Sequence, residues 1–404
     1  MEFIPFLQEM LGITEDFGIV NIEKIETSEK IIRIYLNYLP RQCNIAGNFF
    51  KVYDLAPERE WQHLSWFEYK CFIICKLPRY IEVDGTIKTF EPKFAPKGRG
   101  YTHLFRNEVL KTLLKVKVQK TVSELLKTTP YIVRSIMEDA VEAGLQERGF
   151  VKDLVNISID EKSYARGHEY ATILMDSDKE YIVDMLEGRK EKSLKALFAM
   201  VTDNDTQPQL DRVNIDMWKP YMNVIKEIAP QASIVHDKFH VIKKLTEAID
   251  ATRKKEISES DLLKNQKYNL LKNAENRTEK QKVQFTLIDQ ANLKTAQAWH
   301  IRENFKLIWD FSNFKNSLSL LQAWMKESRE KKIFHINYVI KLIENHLEGI
   351  INGFNTKTSS AMHENNNGKI QMIIAKARGF INFDRFRINA LFYFGNLNLF
   401  PLKF

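Results

Sequence analysis

The stretch that decides the fold runs from residue 155 to residue 240: Val155–Asp160 (VNISID), Tyr170–Asp176 (YATILMD), Tyr181–Glu187 (YIVDMLE), Lys190–Met200, Arg212–Asp216 (RVNID), Trp218–Ile228 and Ser233–Asp237 (SIVHD). The β-branched runs of five to seven residues, separated by turn residues, predict strands. The two longer amphipathic segments predict helices, so the order is three strands, a helix, a strand, a helix and a strand.

That order is the one expected of a ribonuclease H-like mixed sheet, in which the first and fourth strands are neighbours. Asp160 ends the first strand and Asp216 the fourth, so two carboxylates 56 residues apart come side by side. Their mutual repulsion calls for a cation, and hard oxygen ligands suit Mg²⁺ or Mn²⁺. A third carboxylate would complete a two-metal site for phosphodiester chemistry. For any single strand-end Asp, a capping or turn role is the bland alternative.

Working outward, no glycine lies between Gly188 and Gly349 and no proline between Pro230 and Pro401. Such an interior reads as mostly helical, with Trp299, Trp309 and Trp324 on apolar faces as core anchors. On the other side, Val118–Leu145 predicts a short helix, a break at Thr128-Thr129-Pro130 and a second helix from about Tyr131. This is helix-turn-helix spacing, in which Lys127, Tyr131 and Arg134 are candidate DNA contacts.

The 404 residues carry 60 Lys+Arg against 52 Asp+Glu, a net charge of +8, with 44% hydrophobic and 28% charged residues. This is a globular balance, not a disordered one. Residues 88–120 are net +7 and residues 369–404 net +5, leaving the remainder net −4. Two basic blocks on a mildly acidic chain point to a polyanion such as nucleic acid; the alternative for each is a solvated face. Met1–Val20 has no basic leader and no apolar run is long enough for a span, which predicts a cytoplasmic protein with no membrane partner.

Several chemistries are excluded by their missing signatures: GxxxxGK[ST], GxSxG and GxGxxG in strand-to-helix context are all absent. His363-Glu364 opens like a zinc-peptidase motif, but Asn367 stands where the second histidine is needed.

Five ordered blocks resemble the ISL3 family of bacterial insertion-sequence transposases. They are Ile159–Tyr170 (IDEKSYARGHEY), Glu187-Gly188-Arg189, Asp216-Met217-Trp218 with Tyr221, Asp237–His240 (DKFH), and a last block of SSAMHENNNGKIQ followed by Gly379-Phe380, Asn382-Phe383 and Phe386-Arg387. The resemblance covers residues 155–395 and implies a DDE triad at Asp160, Asp216 and Glu364, holding two Mg²⁺ or Mn²⁺ ions. Asn365 stands where the family often has glycine. Glu161, Asp237, His240 and Asn367 are expected beside the site, and Lys369, Arg378, Arg385 and Arg387 on DNA phosphates.

The family commonly begins with a zinc ribbon. Here only Cys43, Cys71 and Cys75 are present, with His63 as a candidate fourth ligand; the alternative is a degenerate, metal-free remnant held by packing. The resulting expectation is an α+β multidomain chain. Its parts are an N-terminal region with a degenerate zinc-ribbon-like part (1–105), a helix-turn-helix (106–150), the first part of the catalytic sheet (151–240), an all-helical insertion (241–355), and the final catalytic helix with a basic C-terminal segment (356–404). The expected activity is binding of an element's terminal inverted repeats, metal-dependent cleavage and strand transfer, by a homodimer or larger assembly on double-stranded DNA in the nucleoid. Two alternatives remain at this stage: an inactive domesticated DNA-binding or regulatory protein, and a ribonuclease H-like nuclease without strand transfer.

Overall fold

A computed structural model describes residues 3–165, 169–203, 208–311, 315–356, 368, 370–375 and 379–400. The chain is mixed α+β and divides into two compact units, residues 1–147 with 398–404, and residues 148–397.

The first unit opens with α1 (Phe3–Met10) and a sheet of β1 (Phe17–Glu26), β2 (Lys30–Tyr38), β3 (Gln42–Ile45), β4 (Asn48–Trp66), β5 (Tyr69–Ile81) and β6 (Ile87–Thr89). The strand order is β1-β2-β5-β4-β3, with β6 paired to β5. One face is packed around Phe17, Ile34, Trp61, Ile73, Leu77 and Phe94.

Of the two readings of the cysteines, zinc site or metal-free remnant held by packing, the geometry fits the second better. Cys71 and Cys75 both lie in β5 and Cys43 in β3; all three are free and buried in the apolar core. Two residues four apart on an extended strand are separated by about 13 Å, far beyond what two thiolates on one zinc ion allow. Burial also pushes the thiols of Cys71 and Cys75 up to about 12, away from the thiolate form that binds metal. Region 1–105 is therefore organised by a packed sheet, which the sequence reading did not foresee.

Three helices follow: α2 (His103–Val116), α3 (Gln119–Leu125) and α4 (Pro130–Arg148). Proline at the first helical position of α4 needs no hydrogen-bond partner for its nitrogen. The break between α3 and α4 includes Lys127, whose φ of 50° reverses the chain. Gln62 of β4, itself buried, holds this turn. Its Nε2 donates to the carbonyls of Leu126 (3.4 Å) and Lys127 (3.2 Å), and its Oε1 accepts from Thr128 Oγ1 (2.9 Å).

The second unit carries β7 (Asn156–Ala165), β8 (Glu169–Asp176), β9 (Tyr181–Glu187), α5 (Glu191–Val201), β10 (Arg212–Ile215), α6 (Lys219–Ile228) and β11 (Ser233–Val235). The sheet order is β11-β10-β7-β8-β9; β10 is parallel to β7 and β11, while β7, β8 and β9 are antiparallel neighbours. Ile157, Ile159, Val213 and Ile215 share a core with Leu194 and Leu197 of α5 and Tyr221 and Val224 of α6.

One boundary differs from expectation in a useful way. Asp160 does not end its strand, because β7 runs on to Ala165 along β8. What ends beside Asp160 is the pairing with β10, whose last matched residues are Ile215 and Ile159.

Further helices are α7 (Lys238–Glu256), α8 (Lys267–Leu271), α9 (Glu279–Gln290), α10 (Lys294–Phe311), α11 (Ser317–Glu330), α12 (Phe334–Asn345) and α13 (Leu347–Asn355). Val241, Leu245, Ala248 and Ile249 form the helical stripe by which α7 enters a common core with Phe305, Leu321, Ile336 and Ile340. Trp299, Trp309 and Trp324 are buried in that core, as their spacing predicted. The indole nitrogens of Trp299 and Trp324 donate to the carbonyls of Lys272 and Ile301, both at 3.0 Å. The last helix, α14 (Phe383–Phe394), packs on β9.

Candidate active site

Side chains alternate across a strand, so the register fixes which residues share a face. Ile159 and Ile215 point into the core beneath α5 and α6; Asp160 and Asp216, one residue further along each parallel strand, therefore share the opposite face. Each carboxylate is fixed by the next backbone amide. Asp160 Oδ1 accepts from Glu161 N at 2.7 Å and Asp216 Oδ1 from Met217 N at 2.6 Å.

Lys162, two residues on and hence on the same face, places its Nζ 3.1 Å from Asp160 Oδ2. That oxygen is buried, and its contact with Lys162 is an ion pair outside hydrogen-bonding geometry. Asp237 accepts from His240 N at 3.0 Å and so caps α7. The cap turns His240 toward Asp216: its Nδ1 lies 3.4 Å from Asp216 Oδ1, outside hydrogen-bonding geometry, and its Nε2 lies 3.8 Å from Asp237 Oδ2. Asp237 is thus both a helix cap and a neighbour of the site.

Glu161 faces the other way. Burial first, and the Asp216 and Asp160 charges after it, raise its carboxyl pKa; Arg189 and Tyr221 act against the shift. Tyr221 Oη lies 2.5 Å from Thr172 Oγ1, which also donates to the Gly188 carbonyl at 2.7 Å. Gly188 adopts φ 97°, and a Cβ there would stand 2.7 Å from Ser193 Oγ, which explains the glycine between Glu187 and Arg189.

Glu364, Asn367, Lys369 and Arg378 lie outside the described residues. Among the described residues no group of three His, Cys, Asp or Glu side chains could hold a metal. The donor set at Asp160 and Asp216 nevertheless fits a hard divalent cation: two carboxylates on one face, with Asp160 Oδ2 buried beside the Lys162 ammonium.

The C-terminal motif residues build structure. Asn382 caps α14 by accepting from Arg385 N at 3.1 Å, and Phe386 stacks on Tyr164 with ring centroids 5.7 Å apart. Arg387 forks onto Asp184 of β9. In the other basic block, Lys88, Lys97 and Arg99 pair with Glu82, Glu91 and Asp139, and Arg106 donates to the Leu399 carbonyl. Lys88 and Arg99 thus pair with acids outside the block, which a local charge sum does not register. At the break between α3 and α4, Tyr131 is exposed and Arg134 lies over its ring at 5.5 Å, while Lys127 donates to the Glu68 carbonyl.

Three contributors were not singled out by sequence: Lys162, Gln62 and Asp184. Lys162 sits inside a quoted block, but only the register puts it on the face of Asp160.

The sequence profile of the ISL3 DDE family, described as "Transposase", matches residues 157–390, more than half of the chain. The chain belongs to the ISL3 family of DDE transposases. Within this family setting, it is similar to the transposase for insertion sequence element IS1001 of Bordetella parapertussis, 23% identical over 401 residues, spanning 96% of this chain and 98% of the relative. It is also similar to the transposase for insertion sequence element IS1557 of Mycobacterium tuberculosis, 25% identical over 372 residues, spanning 84% of this chain and 82% of the relative. Among solved structures, the Drosophila P element transposase strand transfer complex aligns with 79% of this chain and 95% of that chain, at 12% identity and a TM-score of 0.34. That likeness is too slight to carry an argument. No described helix of this ISL3-family chain is long and apolar enough to cross a membrane.

Proposed function

We propose that this chain binds the terminal inverted repeats of an insertion sequence, hydrolyses the phosphodiester at the element end and joins the freed 3′ hydroxyl to target DNA. The observation that carries the reading is the placement of Asp160 and Asp216 on one face at the end of a parallel strand pair, in a chain of the ISL3 family. The strand order fits a ribonuclease H-like sheet, with residues 151–240 as its first part, 241–355 as a helical insertion and 356–404 supplying the last acid.

Asp160, Asp216 and Glu364 would hold two Mg²⁺ or Mn²⁺ ions. Such a pair, when bound, activates the attacking oxygen and stabilises the leaving one. The chain's own residues do the rest. The amides of Glu161 and Met217 aim the two carboxylates, Lys162 offsets the charge of Asp160, and His240, oriented by the Asp237 cap, supports Asp216. Asn367 belongs beside Glu364.

Residues 106–150 would dock on duplex DNA through Lys127, Tyr131 and Arg134, with Lys369, Arg378 and Arg385 on phosphates nearer the acids. Arg387 is a weaker DNA contact because Asp184 already engages it. A homodimer or larger assembly would hold the two paired ends.

The test is an assay on the element's own ends with Mg²⁺ or Mn²⁺, comparing the intact protein with Asp216→Ala. Cleavage and joining by the parent and loss of both in the variant are expected. Cleavage that persists in the variant overturns the mechanism, and cleavage without joining favours a nuclease.

A further inference from the structure

β11 is an edge strand, yet its exposed backbone is not left open. α13 covers it: the Gly349 carbonyl accepts from His236 N at 2.9 Å, and Asn352 Nδ2 donates to the Ile234 carbonyl at 2.9 Å. A helix thus satisfies groups that would otherwise invite another strand.

His236, just past β11, is fully buried at this junction. Its Nδ1 lies 2.8 Å from the Ile215 carbonyl. A carbonyl only accepts, so Nδ1 carries the proton, and burial holds the imidazole down to about 4, neutral at pH 7. Its Nε2 is buried without a partner, and the His346 ring stands edge-on to it at 5.3 Å. The fit against α13 leaves no room. A Cβ at Gly349 would come within 2.5 Å of His236 Cδ2, and one at Gly353 within 2.1 Å of the His236 carbonyl oxygen.

We infer that His236 is a positioning residue that ties α13 of the helical insertion to the peptide joining Ile215 to Asp216, and so sets where the Asp216 carboxylate stands. The inference rests on the proposed role of Asp216 and adds a residue that no family motif above includes. The donor at Nδ1 does the positioning, and the backbone contacts to α13 fix the ring that carries it.

The experiment uses the full-length protein with Mn²⁺ as probe, measuring Mn²⁺ affinity by electron paramagnetic resonance, the Mn²⁺ dependence of end cleavage, melting temperature and affinity for the element end. Asparagine can place an amide N–H where Nδ1 stands, whereas glutamine carries its amide one bond further. His236→Asn is expected to keep Mn²⁺ affinity near the parent, and His236→Gln to weaken it about 10-fold or more, as loss of a group orienting a metal ligand does. Gly349→Ala, which pushes on the ring from the other side, is expected to follow His236→Gln, with end binding unchanged in all three.

Equal Mn²⁺ affinity in the Asn and Gln variants, whether both retained or both lost, overturns the inference. Asp216→Ala is run beside them. If it is inactive while His236→Gln matches the parent, only the inference fails; if it cleaves normally, the assignment of Asp216 fails and takes the inference with it.

Discussion

Arg387 donates two hydrogen bonds of 2.7 Å, from Nε and Nη2, to the two carboxylate oxygens of Asp184, a residue 203 positions earlier in the chain. Asp184 is almost wholly buried and Arg387 mostly so, so the pair clamps α14 onto β9. Breaking a buried, bidentate pair leaves one charge without its partner and costs about 3 kcal/mol or more. Arg387→Ala should therefore lower the melting temperature markedly, with little change in the salt dependence of DNA binding. Arg385→Ala should do the reverse, reducing the slope of log affinity against log salt by about 1. Thermal melts and salt titrations of the two variants check this.

His240 should matter through Asp216. Replacing His240 with Ala removes the imidazole that stands 3.4 Å from Asp216 Oδ1, and the expected loss in metal affinity or cleavage is about 10- to 100-fold. Asp237→Asn retains a cap acceptor for the His240 amide and should cost less than His240→Ala. End-cleavage rates at increasing Mg²⁺ separate the two.

Gln62 holds the break between α3 and α4 through three hydrogen bonds from inside the sheet. Gln62→Leu leaves the Thr128 hydroxyl and two carbonyls without that partner, at about 1–3 kcal/mol in stability. It should also weaken binding to the element end although Gln62 itself is buried. Urea melts and gel-shift titrations check both effects.

His63 makes the first unit sensitive to mild acid. Its Nδ1 lies 2.8 Å from Thr102 Oγ1, and burial pushes its pKa from 6.5 down to about 4. Below pH 6.5 the unfolded chain takes up a proton that the folded one refuses, so stability falls with pH through this window and levels off below about 4. The contribution is about 3 kcal/mol at most. His63→Gln should flatten the pH dependence of unfolding between these limits.

Gly353 tests the closeness of α13 to β11. Alanine inside a helix is normally worth about 1 kcal/mol over glycine. Here its Cβ would meet the His236 carbonyl oxygen at 2.1 Å and Trp309 Cη2 at 2.8 Å. Gly353→Ala should destabilise by about 1–3 kcal/mol, the cost of overpacking, as read from its melting temperature.

The sequence by itself determined the order of elements in the second unit, because strand and helix periodicities are local signals. Tyr181–Glu187 is a strand between the residues named in advance, and Trp299, Trp309 and Trp324 are buried as their spacing required. The two helices on either side of the break before Pro130 were legible for the same reason. Tertiary structure decided what depends on partners remote in sequence. Only strand register could put Lys162 on the face of Asp160, and only folding could bring Asp184 to Arg387 or Gln62 to Thr128. The N-terminal sheet escaped the sequence reading because its long strands β4 and β5 mix buried and exposed positions without clean alternation, interrupted by register shifts. Periodicity reports which face of one element is apolar; pairing, burial and charge neutralisation are properties of two elements at once, and no local pattern contains them.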